Sequence, residues 1–81
     1  MPKLPMIKGK ILVKFIESLG FRVTRTKGSH VRLHADDKRV TTVPIHGNRE
    51  IPIGLLRKII REDLEISLDE FITLYSQFRG K

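Results

Sequence analysis

Between Phe21 and His34 the chain alternates apolar and polar residues on either side of Lys27-Gly28-Ser29, and this limits the fold more than any other stretch. Side chains of a strand point to opposite faces with a period of two. His30-Val31-Arg32-Leu33-His34 therefore puts Val31 and Leu33 on one face and His30, Arg32 and His34 on the other. Phe21 to Thr26 is rich in β-branched residues and reads as the preceding strand, with Lys27-Gly28-Ser29 as the turn. After a polar connection, Ala35 to Lys38, Arg39 to Val43 supplies a third strand. Its pattern admits either Val40/Thr42 or Thr41/Val43 as the core pair, and Pro44 ends the ladder or lies at an edge.

Helical spacing flanks this block. Ile11, Leu12, Phe15, Ile16 and Leu19 make an apolar stripe that predicts a helix from about Lys8 to Leu19, stopped by Gly20 as a left-handed residue with Phe21 in contact. Ahead of it, Pro2 and Pro5 forbid a helix, and residues 1–7 are expected to form a flexible tail. Pro52 opens a second stripe of Ile53, Leu55, Leu56, Ile59, Ile60 and Leu64, running to about Asp63. Ser67-Leu68-Asp69-Glu70 has the form of a capping box, opening a third helix with Phe71, Ile72, Tyr75 and Phe78 on one side. The predicted order is α-β-β-β-α-α in a single domain over residues 8–81. Short antiparallel connections allow helices on one sheet face only, which gives an α+β fold with the other face in water.

Composition narrows the chemistry. In 81 residues there is one modest core, burying roughly 60% of the unfolded surface. The absence of cysteine excludes disulfides, thiolate zinc sites and a cysteine nucleophile. No apolar run approaches the ~20 residues of a membrane span, and Met1 to Met6 is too short and proline-interrupted for a signal peptide, so a cytoplasmic protein is expected. The 16 Lys and Arg against 9 Asp and Glu are unevenly placed: residues 1–49 hold 11 basic and 3 acidic side chains, residues 50–81 hold 5 and 6. That asymmetry predicts a polyanion-facing part joined to a neutral scaffold.

The open face receives His30, Arg32 and His34. An imidazole, with a reference pKa near ~6.5, can give or take a proton at neutral pH. RNA cleavage by the ribose 2′-hydroxyl needs a base for that hydroxyl and an acid for the leaving oxygen. His30 is the candidate for such a role. Lys27, Arg25 and Arg32 are candidates to bind and polarise the phosphate, and Gly28 and Ser29 to let backbone N–H groups approach it. His34, at the far end of its strand, is expected to face solvent or RNA. His46 could reach back to His30 or brace its own loop, with bracing favoured, and Arg49 is read as a loop ion-pair partner or phosphate contact. His30 and His34 are four residues apart, about 13 Å in a strand, so they cannot share one zinc ion. With Asp36 and Asp37 in a turn, a metal-independent mechanism without cofactor is expected.

Gly28-Ser29-His30, preceded by Leu19-Gly20-Phe21, resembles the HicA (YcfA-like) toxin family. The likeness continues through Val43-Pro44-Ile45-His46-Gly47-Asn48-Arg49-Glu50-Ile51-Pro52, then Gly54-Leu55-Leu56-Arg57-Lys58-Ile59-Ile60 and Ile66-Ser67-Leu68-Asp69-Glu70-Phe71. This resemblance implies a double-stranded-RNA-binding-domain-like fold, α-β-β-β-α, here with an extra C-terminal helix. It also implies a toxin that cleaves mRNA and is silenced by a HicB antitoxin, with the family's essential histidine falling on His30. Two departures stand out. Val31 replaces a second histidine that many members carry, at a position facing the core. The second helix begins Ile51-Pro52-Ile53-Gly54 rather than with a lysine cluster, which favours single-stranded mRNA over a duplex. The competing readings are a non-catalytic RNA-binding module and an interaction protein using the same basic face.

Overall fold

The computed structural model describes residues 3–80. Three strands, β1 (Arg22–Lys27), β2 (His30–His34) and β3 (Val40–Pro44), form an antiparallel sheet in that order. Before it comes α1 (Gly9–Ser18); after it come α2 (Ile53–Lys58), a π-helical segment (Ile59–Asp63) and α3 (Leu68–Arg79). This is the expected α+β arrangement, three antiparallel strands with one face left open.

Alternation in β2 sets the layers. Val31 and Leu33 are buried among the helices, while His30 and Arg32 are exposed. Across the ladder Val31 pairs with Val43 and Leu33 with Thr41, so the core pair of β3 is Thr41/Val43. A hydroxyl in that position needs a partner, and Thr41 Oγ1 donates to Asp63 Oδ2 at 2.8 Å. Thr42 is thereby turned to the open face.

β1 departs from simple alternation. Val23 pairs with Leu33 and Arg25 with Arg32, leaving Thr24 as the extra residue of a β-bulge. The bulge switches parity along the strand: Val23 lies toward the helical side while Arg25 and Lys27 lie with His30. Every residue of β1 is exposed.

The helical layer is tied together at two places. Phe15 of α1 is fully buried, with Phe71, Tyr75 and Phe78 of α3 packed edge-on around it at centroid distances of 5.1, 5.5 and 5.5 Å. Ser67 caps α3 by accepting from the Glu70 N–H at 3.0 Å. The π segment, marked by the bond from Leu64 N–H to Ile59 C=O at 2.9 Å, brings Ile59, Ile60 and Leu64 into the core together. Arg39 closes its end, donating from Nη1 to the Leu64 carbonyl at 2.6 Å, while its guanidinium lies 5.1 Å above the Phe21 ring. Its Nε also donates to Asp37 Oδ2 at 2.8 Å, and that hydrogen bond holds the Asp37 carboxyl below its usual range.

The expectation of a free tail over residues 1–7 needs correction. Residues 1 and 2 lie outside the described residues, but Leu4 and Ile7 are buried. The Ile7 carbonyl accepts from Ile51 N–H at 2.7 Å, and Lys8 forms an antiparallel bridge with Glu50. The prolines do exclude a helix here; extended backbone instead pairs with the segment entering α2. Among the described residues, no helix is long and apolar enough to cross a membrane.

Candidate functional site

The open sheet face carries a shallow cleft of about 190 Å³ lined by Arg25, Lys27, His30, Arg32 and Thr42. Five residues from three strands meet there because of two local features. The first is the turn between β1 and β2. Gly28 has φ +58°, whereas Ser29 stays on the negative side, which makes Gly28 the first central residue of a type II′ turn. A two-residue connection of this kind fixes register tightly, and it sets Lys27 directly opposite His30. The second is the Thr24 bulge, which sets Arg25 opposite Arg32.

The third side of the cleft is fixed from below. His30 pairs with Pro44, and the next residue, Ile45, donates its N–H to the Ser29 carbonyl at 2.6 Å. Pro44 in turn rests on the start of α1: a Cβ on Gly9 would lie 2.8 Å from the Pro44 carbonyl oxygen. Glycine at position 9 is therefore what allows α1 to approach the strand beside His30.

Electrostatically the cleft is unbalanced. Ion pairs among the described residues join Arg22 to Asp36 at 3.1 Å and Arg39 to Asp37 at 2.8 Å, and neither involves Arg25, Lys27 or Arg32. Like charges directly opposite on a ladder are unfavourable. Two arginines facing each other beside a lysine, with no carboxylate among them, make a site that an anion stabilises. The arrangement offers a phosphate three donors and places an imidazole at its edge.

The other sequence candidates fall outside this cluster. His34 lies at the opposite end of β2, half-buried, with Nδ1 2.7 Å from Thr24 Oγ1. His46 and Arg49 are exposed in the loop after β3 and do not line the cleft. The side chain of His46 makes no hydrogen bond among the described residues; its carbonyl accepts from Arg49 N–H at 3.0 Å, so any bracing of the loop comes from backbone. Arg49 forms no ion pair there either. Gly28 and Ser29 shape the turn, with the Ser29 carbonyl already engaged by Ile45. Among the described residues no three His, Asp or Glu side chains come together as a metal-ligating group.

Thr42 is the lining residue that the sequence did not single out. Its local pattern is symmetric with Thr41; the pairing of β3 with Val31 and Leu33 turns Thr41 inward, where the distant Asp63 takes its hydroxyl.

Residues 9–64 match a family model described as the HicA toxin of bacterial toxin-antitoxin systems. The matched span runs from the first residue of α1 through the whole sheet to the end of the π segment, so it contains the entire cleft; α3 follows it. No curated protein sequence matches the chain.

Proposed function

The chain belongs to the HicA toxin family of bacterial toxin-antitoxin systems, and from that premise we propose that it is an endoribonuclease acting on mRNA, with His30 as general acid/base. The observation that carries this reading is the position of His30, directly across the ladder from Lys27 and beside Arg25 and Arg32, with none of the three cations ion-paired among the described residues.

In the reaction the ribose 2′-oxygen attacks the adjacent phosphorus and the bond from phosphorus to the 5′-oxygen breaks. The products are a 2′,3′-cyclic phosphate and a 5′-hydroxyl end. One proton leaves the 2′-hydroxyl and one reaches the 5′-oxygen; His30 mediates one of these transfers. Arg25, Lys27 and Arg32 hold the non-bridging oxygens and offset the charge that builds on them. A positioned acid–base group contributes about 10²–10⁴-fold. The cleft is shallow and open, and suits a single strand laid across the sheet. Translation is inhibited as messages are cut in the cytoplasm, and a HicB-type antitoxin silences the toxin by covering this face.

His30→Ala tests the reading. Cleavage of an mRNA substrate by the purified, antitoxin-free chain should fall at least about 100-fold, and growth arrest should be lost, while RNA affinity changes little. Cleavage by the wild type should persist in EDTA. An alanine variant that cleaves at the wild-type rate removes His30 from the mechanism. A wild type that binds RNA without cutting it is a binding module.

A further inference from the structure

We propose that Thr42 reads the sugar: its hydroxyl bonds the ribose 2′-hydroxyl of a nucleotide flanking the scissile phosphate and gives the site its preference for RNA. This rests on the ribonuclease reading above.

Thr42 sits on β3 directly opposite Arg32, half-buried, with its side chain in the cleft. The hydroxyls of Thr24 and Thr41 are engaged by His34 and Asp63, whereas that of Thr42 takes part in no hydrogen bond among the described residues. The other lining side chains divide by chemistry. Arg25, Lys27 and Arg32 only donate, and they suit phosphate oxygens, which only accept. A sugar hydroxyl must also give its own proton to an acceptor. Among the lining side chains only the neutral imidazole of His30 and the hydroxyl of Thr42 can take it. With His30 committed to proton transfer at the scissile phosphate, Thr42 is the group left to meet a second ribose. The 2′-hydroxyl is what separates RNA from DNA at a binding site, so this contact carries sugar selectivity.

The test uses the full chain carrying His30→Ala, which does not consume its ligand and lacks the competing acceptor. Its affinity for RNA and DNA oligonucleotides of one sequence is measured by fluorescence anisotropy. RNA should bind about three- to tenfold more tightly, the range of one net hydrogen bond. Adding Thr42→Val, which keeps the β-branched shape, should abolish that preference and leave DNA affinity unchanged; adding Thr42→Ser should keep it. Fully 2′-O-methylated RNA, which cannot donate, should bind the Thr42 protein like DNA, and this arm needs no second substitution to fold. Equal binding of RNA and DNA by the His30→Ala chain overturns the assignment, as does a preference that survives Thr42→Val. If the wild type nevertheless cleaves RNA, the ribonuclease reading stands without Thr42; if it neither binds nor cleaves RNA, both fall.

Discussion

Arg25 lies directly opposite Arg32 across the β1–β2 ladder. Such a pair is unfavourable by about 0.2–1 kcal/mol in the free protein, and an anion between them reverses the sign. Replacing Arg32 by Gln should therefore leave stability unchanged or raise it by a few tenths of a kcal/mol, while RNA affinity drops. The slope of log affinity against log salt should become shallower by about 0.7 for each lost single-strand phosphate contact. Urea denaturation and a salt titration measure the two effects on one preparation. A less stable variant with unaltered RNA binding would make the pair structural.

The two strand histidines should behave oppositely. His34 is occupied by Thr24 and stands about 13 Å along the strand from His30. His34→Ala should retain wild-type cleavage under single-turnover conditions and lose about 0.5–1.5 kcal/mol of stability from the broken hydrogen bond. Loss of cleavage with stability intact would extend the active site to the far end of β2.

Gly9 couples the helical layer to the cleft. An alanine there would press its Cβ against the Pro44 carbonyl, 2.8 Å away, and against Ile45. Backbone yields poorly, so Gly9→Ala should cost about 1–3 kcal/mol. Because Pro44 pairs with His30, cleavage should fall as well, under conditions where circular dichroism still shows the folded state. A neutral result would mean that β3 can shift without consequence for the site.

The C-terminal helix lies beyond the matched family span yet supplies all three rings packed around Phe15. Phe71 is fully buried. Phe71→Ala should cost about 3–5 kcal/mol, a large share of the roughly 5–15 kcal/mol available to a small domain. Thermal unfolding should show a much lower midpoint. A midpoint within a few degrees of the wild type would mean that α3 is an ornament on this fold.

What could be read from the sequence depended on how local the cause was. His30 to His34 alternates so strictly that its two faces follow from period alone, and Gly28-Ser29 marks the turn without help. Thr41 and Thr42 could not be told apart, because the register against β2 decides between them and the acceptor that satisfies Thr41, Asp63, is 22 positions away. The Thr24 bulge is likewise a property of two strands together: Arg22 to Thr26 reads as plain alternation until it is laid against β2. The π segment hides for a different reason, since Ile59, Ile60 and Leu64 also fit an ordinary α-helical stripe. Leu4 and Ile7 were missed because two nearby prolines speak only about helices, whereas the partner, Ile51, is a backbone donor more than forty residues on.

β1 contributes two of the cleft's three cations, yet none of its six residues is buried. β2 and β3, by contrast, are anchored through Val31, Leu33, Thr41 and Val43. The cleft thus has one wall nailed to the core and one held mainly by ladder hydrogen bonds. Strands of the second kind open at a fraction of the global unfolding free energy. An anion that bridges the walls must hold the loose one shut, so amide exchange in β1 reports occupancy of the site: its protons should slow when RNA is bound, while those of β2 that bond to β3 stay as they were.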